Sequence, residues 1–254
     1  MARYQLILAY DGTEFYGFQR QGDTRTVQGV IENALKELDW QEDSILFAGR
    51  TDTGVHANGQ VISFSLNWRH EDADLINALN ARLPADAAVR NISKVKAEFH
   101  PRYEATSRSY VYRIYLAPDR HPMMDRYAWR IWPHLNADAL AKAADLFFGR
   151  HDFAAFGRPM KPGSTTTREI FESCWKRTEA GWEYSISANA FLYHMVRRLV
   201  FIQVETARSN LTLDILKKGF DQPHLLNPGL APAHGLSLDH VEFGNKAQGF
   251  VEEE

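Results

Sequence analysis

The order in which two hydrophobic periods alternate along the first hundred residues constrains this chain more than any other feature. Residues 4–10 alternate in type and are rich in aliphatic and aromatic side chains, a strand pattern that stops at the turn signal Asp11-Gly12. From Thr26 the period changes. Val27, Ile31, Leu35 and Leu38 recur at i, i+4, i+8 and i+11 behind a threonine placed to cap, which predicts an amphipathic helix whose stripe covers a sheet face. Apolar stretches at 45–48 and 61–66 read as strands, Leu75, Ile76, Leu79 and Leu83 as a second helix stopped by Pro84, and 88–95 as another strand. Strand, helix, strand, strand, helix, strand predicts an α+β layer, with helices on one side of a largely antiparallel sheet.

A similar series follows. Tyr110, Tyr112, Ile114 and Leu116 alternate with Val111, Arg113 and Tyr115 on a long strand, and residues 127–132 are placed to pair with it. Asn136 is positioned to cap a helix carrying Leu140, Ala143, Ala144 and Phe147, with Gly149 at its stop. Strands at 169–176 and 182–188 lead into a helix through Phe191, Leu192, Met195, Val196, Leu199 and Val200. A short helix at 211–220, a proline-punctuated loop and a strand at 236–243 end the series. The expected organisation is two similar halves, 1–104 and 105–245, and an acidic tail at 246–254. The loop 157–167, with Arg158, Lys161 and Gly163, reads as mobile and basic.

At 254 residues the chain can bury a substantial core. It has no apolar run near the roughly 20 residues a membrane span needs, nor a signal-peptide layout, so a cytoplasmic location is expected. The single Cys174 cannot form an internal disulfide and is expected to pack as a small apolar group in its strand. Histidines occur singly, with no metal-binding spacing, and no metal is expected. A net charge of −3 argues weakly against nucleic-acid binding, yet 20 of the 29 basic residues are arginine, the better bidentate and stacking partner for phosphates and bases.

The loop 48–56, Ala-Gly-Arg-Thr-Asp-Thr-Gly-Val-His, lies between two strands, where chemistry is often placed. Asp52 before a small residue and Gly54 is ordinary turn composition. Arg50, two residues away, favours the ionised carboxylate that a nucleophile requires, which makes Asp52 the candidate. Tyr110 reads either as a core ring or as one that stacks on a flat substrate. Arg197 and Arg198 lie among apolar helix residues, so one of them is expected to point inward and to need an anionic partner. P-loop, dinucleotide and serine-elbow patterns are absent.

Taken together, these residues resemble the tRNA pseudouridine synthase A family across nearly the whole chain. The matching motifs are Tyr10-Asp11-Gly12, 17–21 (Gly-Phe-Gln-Arg-Gln), 26–29 (Thr-Val-Gln-Gly), the Asp52 loop, Gly59-Gln60-Val61, Phe99-His100 with Arg102, Arg108 with Tyr110 and Tyr112, 189–197, Ala231-Pro232-Ala233 and Gly235-Leu236. The resemblance implies isomerisation of uridine to pseudouridine at positions 38, 39 and 40 of the tRNA anticodon stem-loop, with no cofactor, by a homodimer. It also implies two α/β halves forming one extended, mainly antiparallel sheet around a central RNA-binding cleft. Asp52 would be the nucleophile, attacking ribose C1′ or uracil C6, and Arg197 its ion-pair partner. Tyr110 would stack on the base and assist proton transfer, Arg50 would displace it, and Leu236 would wall the pocket. Gln19, Gln21, His56 and Arg108 would add substrate contacts. Phe18, Thr53, Phe201 and Ser109 depart from the family pattern without removing a catalytic group. Competing readings are a non-catalytic RNA-binding or chaperone protein of the same fold, and a hydrolase pairing Asp52 with Asp11.

Overall fold

The computed structural model describes residues 1–161 and 163–244. In chain order the elements are β1 (Ala2–Tyr10), α1 (Val27–Lys36), β2 (Leu46–Phe47), β3 (His56–Leu66), α2 (Asp72–Asn80), β4 (Ala87–Val95), α3 (Pro101–Glu104) and β5 (Ala105–Leu116). Then come α4 (Pro122–Asp125), β6 (Trp129–Ile131), α5 (Ala137–Asp145), β7 (Gly149–Asp152), β8 (Thr167–Arg177), β9 (Gly181–Ala188), α6 (Met195–Ala207), α7 (Leu213–Gly219) and β10 (Leu236–Phe243). The fold class is α+β, with mainly antiparallel pairing. No helix among the described residues is long and apolar enough to cross a membrane.

Two compact units divide the chain: Met1–Ser107 with the segment from Leu238 onward, and Arg108–Ser237. The division expected at 104/105 thus differs by three residues, and β10, expected in the second half, groups with the first from Leu238. The reason is its place beside β3. A Cβ on Gly59 would lie 2.3 Å from the Asp239 carbonyl oxygen, so the two backbones touch at a glycine. The acidic tail expected at 246–254 lies outside the described residues.

In the first unit the strand order is β4-β1-β3-β10, with β2 on β3. Tyr4, Leu6, Leu8 and Tyr10 of β1 are buried and their neighbours are not, which is the period-2 burial the sequence predicts. Thr26 Oγ1 accepts the Gly29 N–H at 3.3 Å, and Val27, Ile31 and Leu35 of α1 are buried. Each large side chain of this set contributes roughly 1.5–3 kcal/mol by leaving water.

In the second unit the order is β5-β9-β8-β7, all antiparallel, with β6 parallel to β5 through Ile114 opposite Trp129. Asn136 caps α5 by accepting the Ala139 N–H at 3.0 Å. One face of β8 and β9 carries both long helices: Ser173 Oγ donates to Ala144 O of α5 at 2.8 Å, and Trp175 Nε1 to Gln203 Oε1 of α6 at 2.7 Å. Cys174 is on β8 as expected but is exposed. A bulge between Ile170 and Glu172 resets the alternation, so Ile170 and Ser173 turn inward while Phe171 and Cys174 turn out. Helix α6 begins at Met195, later than the apolar pattern from Phe191 predicts, because His194 takes a left-handed backbone, φ 63°, just before it.

Candidate active site

The Asp52 loop joins β2 to β3 and is tied down at almost every residue. Ala48 N–H donates to Val61 O at 2.9 Å, and Gln60, fully buried, donates from Nε2 to Gly49 O at 2.8 Å. Tyr10 and Thr51 share a buried hydroxyl hydrogen bond of 2.7 Å, and burial pushes the Tyr10 phenol up to about 12. Phe18 N–H reaches Thr51 O at 3.1 Å and Gly54 N–H reaches Phe15 O at 3.4 Å. Asp52 itself starts a tight turn, its carbonyl accepting the Val55 N–H at 3.1 Å. Gly54 at φ 77° supplies the left-handed third position that a type II turn requires.

Two glycines let other segments approach this loop. A Cβ at Gly12 would fall 2.1 Å from Val55 O, and one at Gly17, itself at φ 84°, would meet Thr51 O at 3.1 Å. His56 lies under the loop's end, where its Nδ1 accepts the Gly12 N–H at 3.0 Å. That contact leaves the neutral ring's proton on Nε2. Asp11, 3.2 Å from the same nitrogen, caps a 3-10 turn through Thr13 N–H at 3.0 Å and Thr13 Oγ1 at 2.6 Å. Its Oδ1 is therefore occupied by a structural task, which weakens the paired-carboxylate reading. Asp52 is half-buried. Arg50 is exposed, and partial burial with the like charge of Arg102 disfavours its charged form slightly, without removing the charge. Gln19 follows Phe18 and is half-buried. Gln21 is exposed in a turn, its carbonyl accepting Thr24 N–H at 3.1 Å and Thr24 Oγ1 at 2.7 Å.

The second unit carries the other expected residues. Tyr110 on β5 is 9% exposed and meets Phe191 edge to face at 5.1 Å. Arg108, two residues earlier, donates to Asn189 O at 2.9 Å. Arg197, in the first turn of α6, is clamped through the backbone: its Nε donates to Ala231 O at 2.8 Å while Ala231 N–H returns to Arg197 O at 3.1 Å. Fixing Nε fixes the plane and direction of the guanidinium. Tyr112 lies near it. Burial pushes that phenol well up, and the Arg197 charge opposes the shift. The Tyr112 hydroxyl donates to Pro232 O at 2.9 Å, and a Cβ at Gly235 would clash with its ring at 2.6 Å, which places Leu236 directly after a ring contact. Leu236 is 5% exposed.

Sequence reasoning treated Arg197 and Arg198 alike, and the structure separates them. Arg198 is half-buried and answers two backbone carbonyls, Asn227 O and Gly229 O, so its partner is not an acid. Lone pairs on carbonyls satisfy a guanidinium without a carboxylate. In the sequence, Tyr10, Gln60 and Tyr112 stand out only as motif members or strand residues, whereas the Thr51 and Thr53 hydroxyls already suit fixing a loop. Their roles as loop and arginine supports depend on contacts across long sequence separations, which periodicity does not reveal.

The first unit of this α+β fold carries an anchored carboxylate on a strand-flanked loop, and the second carries a backbone-clamped arginine and a ring-buttressed tyrosine. The family model described as tRNA pseudouridine synthase matches residues 6–104 and 143–244. The chain belongs to that family. Among similar proteins, the tRNA pseudouridine synthase A of Thermotoga petrophila is 37% identical over 249 residues, covering 96% of this chain and 100% of the relative. That of Pseudothermotoga lettingae is 36% identical over 245 residues with the same coverage, and that of Chloroflexus aurantiacus 37% identical over 251, covering 96% and 89%. Likeness thus covers 96% of the chain, which takes in the segment 105–142 between the two model matches. Among solved structures, a chain of a Cbf5-Nop10-Gar1 complex is similar over 82% of this chain and 54% of its own, at 12% identity and a TM-score of 0.32, too remote to add to the fold.

Proposed function

We propose that this protein converts uridine to pseudouridine in tRNA, with Asp52 as covalent nucleophile. The observation that carries the reading is the Asp52 loop, held by hydrogen bonds or close backbone approach from residues 10–18 and from Gln60 in a chain of this family. A nucleophile that must meet one atom of a rotated base benefits from such pre-organisation. In this reading Arg197 pairs with Asp52, Tyr110 stacks on the uracil and assists loss of the C5 proton, and Arg50 displaces the base from its stack. Leu236 walls the pocket, while Gln19, Gln21, His56 and Arg108 contact the substrate. The N1–C1′ bond breaks, C5–C1′ forms, C5 loses a proton and N1 gains one. Substrate and product are isomers, and no co-reactant is consumed.

The finer reading places the target at positions 38, 39 and 40 of the anticodon stem-loop. It pairs the chain as a homodimer and locates it in the cytoplasm. Extrusion of the uridine costs a few kcal/mol, which phosphate and stacking contacts offset. Unmodified tRNA carrying tritium at uridine C5 tests the activity: wild type releases tritium, Asp52→Asn does not, and both bind RNA. Release by the variant would remove Asp52 from the nucleophile's role. Binding without release by wild type would leave a non-catalytic RNA-binding protein.

A further inference from the structure

Tyr103 is 74% exposed, more than any other aromatic side chain among the described residues. Single exposed aromatics are common on protein surfaces, so what marks this one is its mounting and its neighbours rather than its exposure. It is rigidly mounted. The single turn α3 starts with Pro101 at its first position, and the preceding His100 accepts the Arg102 N–H at Nδ1 at 3.2 Å. Glu104 Oε1 reaches back to the His100 N–H at 2.8 Å, and Lys96 holds the other carboxylate oxygen at 2.9 Å. Beneath it Phe99 is buried against Phe243, ring centroids 5.3 Å apart. On the outside the Tyr103 ring is braced by the His100 ring at 4.3 Å. The short helix packs on β2 and β3, the two strands that flank the Asp52 loop.

Charge accompanies the ring. Arg102 is exposed beside it, close enough to Arg50 for the two like charges to act on each other, and no carboxylate among the described residues pairs with Arg50. Burial and the nearby Arg3 and Arg102 lower the His100 pKa, so that ring is neutral at pH 7 and serves as a brace rather than as a third cation. A pair of mutually interacting guanidiniums, one of them the chain neighbour of a pre-ordered, water-facing ring, matches an unstacked nucleotide, with the base on the ring and its phosphate on the arginines.

We propose that α3 forms a second nucleotide subsite, next to the pocket for the reacting uridine and sharing Arg50 with it: Tyr103 stacks on an unpaired base near the target, and Arg102 with Arg50 holds the adjoining phosphate. This deepens the tRNA reading above and rests on it. A base on Tyr103 must have a free face, so the subsite takes a single-stranded nucleotide of the substrate loop rather than a paired one.

The test uses the full chain with an unmodified stem-loop RNA carrying 2-aminopurine at single loop positions. Wild type quenches the fluorophore at one of them. Tyr103→Ala loses that quench and weakens binding about tenfold, the scale of one base–aromatic stack, while Tyr103→Phe keeps both. Arg102→Gln lowers the slope of log affinity against log salt by about one phosphate contact. Equal affinity and equal quenching for wild type and Tyr103→Ala, with unchanged melting temperatures, would overturn the subsite. Tritium release separates the two proposals. A wild type that quenches without releasing tritium loses the isomerase reading and keeps the subsite, whereas one that releases tritium with Tyr103→Ala indistinguishable from it keeps the isomerase and loses the subsite. A wild type that binds no RNA loses both.

Discussion

Replacing Tyr10 with phenylalanine removes one oxygen from beneath the Asp52 loop, and its consequences can be worked out from the contacts. The lost hydroxyl is 2.7 Å from Thr51 Oγ1, and Thr51 is 6% exposed, so the threonine hydroxyl is left in a site poor in water. Leaving such a group unsatisfied costs about 1–3 kcal/mol. For a chain of 254 residues, 1 kcal/mol lowers the melting temperature by roughly 2–4 °C. Thr51→Val removes the same bond from the other side at a smaller cost, because the phenol keeps a side-chain hydrogen bond with Gln60, and the double variant strands neither hydroxyl of the pair. A double-mutant cycle should therefore return a coupling of about 1 kcal/mol, the double variant being more stable than the sum of its parts. Because Thr51 adjoins Asp52, kcat should fall in both single variants while KM changes little.

The same residue makes a prediction about alkaline stability. The Tyr10 phenol is raised in the folded state from 10.0 to about 12 by burial. The folded protein then holds this proton more tightly than the unfolded chain, so the stabilisation is complete below pH 10 and is lost as pH rises from 10 through 12. Two units correspond to roughly 3 kcal/mol. Tyr10→Phe should flatten that part of the pH–stability curve, measured by urea denaturation between pH 9 and 12. Additive single variants, or an unchanged alkaline limb, would refute the claim that this hydroxyl pair is buried and holds the loop.

Other positions yield shorter predictions. Gly12→Ala should destabilise by about 1–3 kcal/mol or more and abolish tritium release, because the added carbon meets the Val55 carbonyl rather than a movable side chain; chemical denaturation reads the first effect. Gly54→Ala should cost about 1–2 kcal/mol from its left-handed backbone, and Gly54→Asn measurably less, in the same assay. Arg197→Lys keeps a charge but loses the Nε bond to Ala231 O, so kcat should drop while the far-UV spectrum stays native; wild-type kcat would refute a need for the clamp. Cys174→Ser should change stability by no more than about 0.5 kcal/mol, as an exposed position allows, and a loss of several kcal/mol would restore the buried-thiol reading.

What could be read from the sequence was whatever a short periodic window encodes. Helix α1 was legible because its cap and the stripe from Val27 to Leu35 lie within ten residues, although Leu38 falls just past its end, and β1 because a strand's alternation needs nothing else. Strand β7 was not, since its residues Gly149, Arg150, His151 and Asp152 offer no apolar alternation; it exists as an edge held by β8. The bulge in β8 was equally silent, and it reversed the expected burial of Cys174. Asp52 could be proposed from Arg50 and the glycines, and Thr51 as a loop-fixing hydroxyl, but the partners that hold the loop could not. Tyr10 and Thr51 are 41 residues apart and meet only once β1 and β3 pair.

The same geometry settles how two readings of Asp52 relate. Asp-Thr-Gly was first of all turn composition, and a turn is what it forms, with Gly54 left-handed and Val55 bonded back to Asp52. That does not compete with a nucleophile's role. The turn is closed by the Asp52 carbonyl rather than by its side chain, and the ties from Thr51 and Gly54 to residues 10–18 hold the backbone on either side of it. An aspartate in a merely connecting turn would need none of these ties, since a surface loop satisfies its backbone with water at little cost. The energy invested in the flanking residues, rather than the identity of the acid, distinguishes this turn from an ordinary one.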